Sequence, residues 1–349
     1  MVGYGALRRN PPYRGFNAVN KWQGRIDALE GAAGRRWHQV ITPFTRETPA
    51  GTVVLLGFAC DAGVIRNEGR AGAADGPAAL RHALRNMPVH ECEALADAGD
   101  IACSGDELEA AQSRFSTRIA EVLKTGAFPI GMGGGHEIAW GSFLGLARHV
   151  ENGAPPRIAI LNFDAHFDLR MAQPPNSGTP FRQIAEECTG RGWPFHYCCL
   201  GVSRYSNTRA LFERAKQLQV TWRLDEEMGG EQLPALRQTL GEFISRVDHV
   251  YLTLCLDALP MSVVPGVSAP AARGIGLDVV EPLVDAIMAS GKVRLADIAE
   301  LNPRHDIDGR TAAVAARLVA RIANGVNVRH PGESRGPVPV PSGFRPAPE

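Results

Sequence analysis

The stretch IAILNFDAHFDLR, residues 158–170, indicates both the fold class and the chemistry of this protein. It begins as a continuous apolar run and then carries Asp164, His166 and Asp168 at every second position. An apolar run without alternation is typical of a strand that is buried on both faces of a parallel sheet. Because alternate side chains of an extended chain point the same way, the three ionisable groups can converge on one point.

The two carboxylates of this stretch favour a bound cation. Asp164 and Asp168 would repel each other and raise each other's pKa unless a cation lay between them. Carboxylates with imidazoles suit Mn²⁺, Zn²⁺ or Fe²⁺, and an oxygen-rich set favours Mn²⁺. Two metal ions about 3.5–4 Å apart could share a water, lower its pKa and direct it at an electrophilic carbon. A solvated loop at the strand end is the alternative that this motif by itself leaves open.

Apolar runs of the same kind recur along the chain and alternate with amphipathic segments. The runs cover residues 52–58, 128–133, 157–163, 196–202, 249–256 and, more weakly, 296–301. The helical segments cover residues 76–87, 107–125, 137–150, 207–219, 231–246, 278–290 and 309–324. This alternation predicts a doubly wound α/β domain with a mainly parallel sheet.

The composition divides the chain into three parts. Residues 1–50 are polar and rich in proline, and we interpret them as an N-terminal arm with short helical pieces. Residues 51–325 form a single α/β domain on this interpretation. Residues 326–349 are rich in proline and nearly free of large apolar residues, so we expect a disordered tail.

Two further predicted strands end in residues that can bind metals. The run 128–133 leads into His136, and the run 249–256 contains Cys255 and leads into Asp257. Ligands of open parallel sheets gather beyond the carboxyl ends of the strands, so we expect these residues to meet the acidic stretch there. For His136 alone, a hydrogen-bonded histidine at a helix start is the simpler interpretation. The coincidence of three strand ends favours a metal centre.

The bulk composition excludes several classes of function. The 37 Lys and Arg residues balance 37 Asp and Glu residues, so no basic field favours nucleic acid. We find no apolar run of about twenty residues that could span a bilayer, and the start MVGYGALRRNPPYRGFN lacks the apolar core of a signal peptide. Seven scattered cysteines without CxxC spacing indicate a reducing compartment. We therefore expect a cytoplasmic protein that acts on a small molecule.

The motifs GGGHE (133–137), NFDAHFDLR (162–170) and LDALP (256–260) resemble, in this order, those of the ureohydrolase superfamily. This superfamily contains arginases, agmatinases and formimidoylglutamases. Its first and last strand–loop–helix units are similar to residues 57–84 and 296–318. The resemblance implies an arginase-like three-layer αβα sandwich with a mainly parallel sheet of about eight strands. It also implies a binuclear manganese centre and a homo-oligomer, since relatives form dimers, trimers or hexamers.

Within the superfamily the likeness is strongest to the formimidoylglutamases. It is carried by WQGRID (22–27), RRWHQVI (35–41), SGTPFRQI (177–184) and PGVSAPAARG (265–274). The resemblance implies hydrolysis of N-formimidoyl-L-glutamate to L-glutamate and formamide, a step of histidine degradation, by attack of a metal-activated hydroxide on the amidine carbon. The first alternative is an agmatinase-like or other guanidino hydrolase of the same fold.

The resemblance also implies roles for the metal ligands. His136 and Asp168 would hold one ion, His166 and Asp257 would hold the other, and Asp164 would bridge them. Asp168 would in addition relay a proton to the leaving amine.

One expected ligand departs from the family pattern. Cys255 stands where the family has a second bridging carboxylate, and a thiolate binds metals but is a softer ligand. The second alternative is therefore a metal-impaired, non-catalytic family member.

The remaining predicted site residues would bind substrate. Glu300 resembles the family's carboxylate that pairs with the amidinium or guanidinium group. The two carboxylates of formimidoylglutamate require cations, and Arg170 and Arg182 are the candidates because guanidinium offers a bidentate fork. Asn67 and Arg70 would line the mouth of the site.

Overall fold

The computed structural model of the protein describes residues 22–151 and 153–327. The predicted disordered tail lies outside these residues except for its first two positions, and residues 1–21 of the predicted arm also lie outside them. The division of the chain into arm, domain and tail stays a prediction.

One sheet of nine parallel strands runs through the described residues in the order β1-β3-β2-β4-β9-β8-β5-β6-β7. The strands are β1 (Thr42–Pro43), β2 (Val53–Ala59), β3 (Leu95–Ala102), β4 (Phe128–Met132), β5 (Ile158–Phe163), β6 (His196–Val202), β7 (Thr221–Leu224), β8 (His249–Cys255) and β9 (Val293–Ala299). The predicted parallel sheet is confirmed, with one strand more than the resemblance implied.

Helices cover both faces of this sheet. They are α1 (Trp37–Val40), α2 (Ala62–Arg66), α3 (Gly76–Leu84), α4 (Leu108–Lys124), α5 (Ile138–Val150), α6 (Pro180–Arg191), α7 (Arg209–Gln217), α8 (Leu233–Ser245), α9 (Leu277–Ala289) and α10 (Arg310–Asn327). Helices α3, α8, α9 and α10 share one apolar core with the sheet, and α4, α5, α6 and α7 share another. The predicted three-layer αβα sandwich is thereby confirmed.

The two cores explain why the central strands read as continuous apolar runs. In β8, Val250 and Leu252 pack into the first core, whereas Tyr251 between them packs into the second. In β5, Leu161 packs into the first core and Ile160 into the second. Both faces of each strand are buried, so no polar residue is needed at alternate positions.

β3 was not predicted from the sequence, because two aspartates interrupt its apolar residues. Both pair with Arg81 of α3, whose side chain is 1% exposed. The Nε and Nη2 atoms of Arg81 each lie 2.8 Å from an oxygen of Asp97, and Arg81 Nη1 contacts Asp100. Burial raises the pKa of Asp97, but the guanidinium of Arg81 lowers it more, so the net shift is downward. The ion pairs with Arg81 stabilise these aspartates in the sheet, so this strand lacks the continuous apolar run by which the central strands were predicted.

Replacing Arg81 with methionine is expected to lower the free energy of unfolding by about 3–5 kcal/mol, because it leaves buried carboxylates without their cation. Urea unfolding followed by circular dichroism measures this change. The matched control is Arg209→Met, since Arg209 makes only an exposed pair with Glu213 and should matter little. Similar losses in the two variants would contradict a structural role for the buried pair.

The order of the strands places the predicted ligands side by side. The neighbours β4, β9, β8 and β5 are consecutive in the centre of the sheet and run in the same direction. Their carboxyl ends therefore meet at one edge, where open α/β sheets bind ligands. Among the described helices, none combines the length and apolarity needed to cross a bilayer.

Candidate metal centre

A glycine loop brings His136 to the edge of the sheet. After β4 ends at Met132, three glycines lead to His136, which lies just before α5. A Cβ atom on Gly134 would lie 1.6 Å from the carbonyl oxygen of Cys60. The loop passes the end of β2 only because Gly134 has no side chain.

Asp164 lies between the two predicted metal-binding histidines. Its Oδ2 atom is 2.8 Å from Nδ1 of His136, and its Oδ1 atom is 3.4 Å from Nδ1 of His166. The side chain is buried at the end of β5. Each oxygen of one carboxylate therefore faces a different imidazole, which is the arrangement that a bridging ligand requires.

The other two predicted aspartates complete the two halves of the cluster. Asp168 Oδ2 lies 3.0 Å from His136 Nδ1, and Asp257 Oδ2 lies 3.1 Å from His166 Nδ1. The structure thus brings the predicted residues together in the pairs that the resemblance implies. Their role as ligands stays a prediction.

Cys255 also lies within this cluster. Single ligand atoms of His136, Asp164 and Cys255 lie within 4.8 Å of one another, and so do those of Asp164, His166 and Asp257. Burial raises the pKa of the Cys255 thiol well above its usual value, and the carboxylate of Asp164 adds to this rise. A cation between these groups would oppose both effects and favour the thiolate.

The cluster fits a divalent cation better than a set of mutual hydrogen bonds. Nδ1 of His136 is buried and makes no hydrogen bond with any described residue, although oxygens of Asp164 and Asp168 lie within 3.0 Å. A nitrogen that faces two carboxylates without a hydrogen bond to either is expected when all three groups point at a common ion. The set of carboxylates, imidazoles and one thiol is chemically suited to Mn²⁺, Zn²⁺ or Fe²⁺.

The ionisation of the cluster also indicates a site for cations. Burial raises the pKa of Asp168 to about 6, and the charge of Asp164 contributes to that rise. Burial lowers the pKa of His136, but Asp164 and Asp168 raise it more, to well above the usual value. Protons thus compensate the buried negative charge here, and a metal ion can replace them.

Three residues that the sequence analysis missed support the ligands. Thr253 Oγ1 lies 3.0 Å from Nε2 of His136, and Asn162 Nδ2 donates to Asp164 Oδ2 over 3.1 Å. Asn207 accepts a hydrogen bond from the backbone of Phe167. For Asn162 and Thr253 a signal existed, since each is a polar residue inside an apolar strand, two positions before a predicted ligand.

Glu300 lies at the same edge, just after β9. It accepts hydrogen bonds from the backbone N–H groups of His136, at 3.1 Å, and Ser268, at 3.3 Å. Burial raises its pKa to about 8, with further contributions from Asp257 and Glu137. Glu300 and Asp168 both adopt a left-handed backbone conformation, with φ of 74° and 49°. Such strain in residues other than glycine is concentrated at functional sites.

The three predicted substrate-binding arginines differ in whether their guanidinium groups already have partners within the protein. The guanidinium of Arg70 donates to the carbonyls of residues 265, 267 and 268, and that of Arg182 contacts the Arg170 carbonyl and Glu186. Arg170 is exposed, and no ion pair to it is found among the described residues. Arg170 and Asn67 line a cavity of about 320 Å³. Of the three arginines, Arg170 is therefore the one whose charge is available to a ligand.

The fold and the cluster of carboxylates and histidines define a family of metal-dependent hydrolases. This chain belongs to the arginase family, whose model matches residues 51–324. It is 60% identical over 308 residues to the formimidoylglutamase of Ralstonia nicotianae, covering 87% of this chain and 95% of that protein. It is 52% identical over 333 residues to the formimidoylglutamase of Aromatoleum aromaticum, covering 92% of this chain and 96% of that protein.

A solved structure agrees with these relatives. Trypanosoma cruzi formiminoglutamase, crystallised with Mn²⁺, matches with a TM-score of 0.74 at 27% identity, covering 85% of this chain and 100% of that one. The predicted resemblance to this superfamily is confirmed.

Proposed function

We propose that this protein hydrolyses N-formimidoyl-L-glutamate to L-glutamate and formamide, with two Mn²⁺ ions as its cofactor. The observation that carries the proposal is the buried carboxylate of Asp164, which faces His136 with one oxygen and His166 with the other. The names of the relatives and the Mn²⁺ of the Trypanosoma cruzi protein support the substrate and the metal. The protein loaded with Mn²⁺ should release glutamate from formimidoylglutamate, and a chelated sample should not.

The ligand set divides between the two ions. His136 and Asp168 would hold one ion, His166 and Asp257 the other, and Asp164 would bridge them together with the thiolate of Cys255. When bound, the two ions supply a water whose pKa is lowered towards about 7 and which is therefore nucleophilic at neutral pH.

Glu300 orients the amidine. Its buried carboxylate accepts only backbone hydrogen bonds and forms no ion pair with a described arginine or lysine. A raised pKa of about 8 means that a cation beside Glu300 would be strongly favoured. The amidinium of the substrate is such a cation, and its planar N–H groups match the two carboxylate oxygens. This pairing fixes the electrophilic carbon in front of the metal ligands.

Asp168 is suited to the transfer of a proton. Its carboxylate lies beside the proposed ions, where it can accept a proton from the attacking water and pass it on. It lies at the strand end beside His136 and is not fully enclosed. We assign it the relay of a proton from the attacking water to the nitrogen of the leaving glutamate.

Arg170→Ala is expected to raise KM for formimidoylglutamate by about 10–100-fold, because a charge-assisted hydrogen bond contributes about 1.5–3 kcal/mol. Its effect on a small amidine without carboxylates should be slight. Steady-state kinetics with both substrates measures the difference, with Arg209→Ala as the exposed control. An equal rise in KM for the two substrates would show that Arg170 does not bind a substrate carboxylate. We propose that Asn67 and Arg70 line the mouth of the site, and that Arg182, predicted to bind a carboxylate, instead supports Arg170 by donating to its backbone carbonyl.

Cys255→Ala is expected to weaken Mn²⁺ binding by at least about tenfold, since it removes a ligand rather than a group behind one. Cys198→Ala is the control, because Cys198 is also buried but packs in the apolar core. Metal titration of each full-length variant measures the affinity. Normal Mn²⁺ affinity in Cys255→Ala would contradict the assignment.

A Cys255→Asp variant tests the metal-impaired alternative. A gain in both bound metal and rate would show that the natural site is weakened, and the alternative would stand. A loss of rate would show that the thiol belongs to a working centre.

The guanidino alternative is separated from the proposal by its product. Hydrolysis of an amidine such as formimidoylglutamate releases formamide, whereas hydrolysis of agmatine or a guanidino acid releases urea. We expect formamide, because Arg170 offers a cation for the carboxylates that agmatine lacks.

We also propose a cytoplasmic homo-oligomer. The seven cysteines all lie within the described residues and form no disulfide, which supports a reducing compartment. Light scattering of the purified chain would test the oligomeric state.

A further inference from the structure

A buried polar network lies behind His136. Its centre is Asp297 in β9, whose side chain is completely buried. The Oδ2 atom of Asp297 accepts hydrogen bonds from the hydroxyls of Ser142 and Tyr251, each over 2.6 Å, while its Oδ1 atom has no partner at hydrogen-bond geometry in the part of the chain that the structure describes. Burying a carboxylate in the middle of an apolar sheet is costly unless hydrogen bonds compensate it.

Thr253 lies between this carboxylate and His136. Thr253 in β8 and Asp297 in β9 are direct partners in the register of the two strands, so their side chains leave the same face of the sheet. The hydroxyl of Thr253 lies 3.0 Å from Nε2 of His136. Burial raises the pKa of Asp297, and the surrounding hydroxyl donors, Thr253 among them, oppose that rise.

The sheet leaves room for this carboxylate. On the other side of Asp297, its partner in β4 is Gly131. A Cβ atom at Gly131 would lie 2.8 Å from the Cβ atom of Asp297, closer than real side chains approach. Glycine at this position therefore accommodates the aspartate that faces Thr253.

We infer that Asp297 is a positioning residue that acts through Thr253 to set the tautomer of His136. Two hydroxyls already donate to Oδ2 of Asp297, as expected of an ionised carboxylate, and its Oδ1 atom is the acceptor left open to the hydroxyl of Thr253. The oxygen of Thr253 then accepts from the Nε2–H group of His136. This leaves the lone pair on Nδ1, the atom that faces Asp164 and Asp168. A metal-binding histidine commonly donates its other N–H to such a partner, which fixes the ring and its basicity.

This inference rests on the proposed metal centre, and it predicts the behaviour of three variants. Thr253→Val removes the acceptor for Nε2–H. Asp297→Asn offers an N–H donor to Thr253, which reverses the direction of the hydrogen bonds and favours the wrong tautomer. Each should weaken Mn²⁺ binding about 10–100-fold, the usual effect of a group behind a metal ligand. Thr253→Ser keeps the hydroxyl and should restore binding to near the wild-type value.

The test is titration of the full chain with Mn²⁺, with urea unfolding of each metal-free variant as a measure of stability. The expected result is weaker binding in Thr253→Val and Asp297→Asn, rescued in Thr253→Ser. Thr253→Val keeps the test available if Asp297→Asn does not fold. Wild-type affinity in Thr253→Val, or equal losses in the Val and Ser variants, would overturn the inference alone. Absence of Mn²⁺ binding in the wild type would overturn it together with the proposed function.

Discussion

Asp164→Asn is expected to lose most of its Mn²⁺ and at least about 1,000-fold in kcat/KM, because without the metal pair no water of lowered pKa is available near neutrality. The amide keeps the size of the side chain but removes the charge that faces both His136 and His166. Removing a ligand that two ions share should weaken metal binding by more than the 10–100-fold that is typical when a group supporting a single ligand is removed.

The loss in Asp164→Asn should be specific to the metal centre. Metal content measured by mass spectrometry, together with glutamate release, records both effects on the same sample. Asp248→Asn is the control, because Asp248 makes an exposed ion pair with Arg157 far along the sheet from these ligands. Full Mn²⁺ content in Asp164→Asn would count against the bridging role.

Glu300→Gln is expected to lower kcat/KM by about 100–1,000-fold, the usual effect of removing one group that stabilises charge in the transition state. Unlike Asp164→Asn, it should keep its Mn²⁺, because the carboxylate of Glu300 accepts hydrogen bonds from backbone N–H groups and not from the side chains of the proposed ligands. The variant therefore separates orientation of the substrate from binding of the metal.

The pH dependence gives a second readout for Glu300. Burial raises the pKa of Glu300 to about 8 in the metal-free protein, and the carboxylate must be ionised to pair with an amidinium. The kcat/KM of the wild type should thus rise with pH and level off below about 8, since bound cations lower this pKa. Glu300→Gln should lose this limb of the profile. If Glu300→Gln kept the wild-type kcat/KM and its pH dependence, Glu300 would have no part in the reaction.

The predicted fold rested on strands whose apolar signal is local. β5 and β8 are buried on both faces, so their runs of apolar residues could be recognised without knowing their neighbours. β3 could not be recognised, because its aspartates are stabilised by Arg81, which belongs to another element. Helix α6 was also missed, although Phe181, Ile184 and Cys188 bury one face at helical spacing. Its Pro180 lies at the first turn, where proline is tolerated, and does not break the helix.

The candidate site divides in the same way. Asp164, His166 and Asp168 could be grouped from sequence because one strand end carries all three. The contact between Thr253 and His136 joins residues 117 positions apart and exists only in the folded chain. Arg182 forms an ion pair with Glu186, whereas Arg170 forms none among the described residues. The sequence alone could not show this difference, so both arginines were candidates for binding a substrate carboxylate.

We propose that side chains from separate strand ends hold a metal pair that hydrolyses formimidoylglutamate. The most direct test is to titrate metal-free protein with Mn²⁺ while following glutamate release. We predict that the rate rises from near zero and saturates at two ions per chain. A rate that is independent of added Mn²⁺ and of chelator, or no glutamate release at any Mn²⁺ concentration, would contradict it.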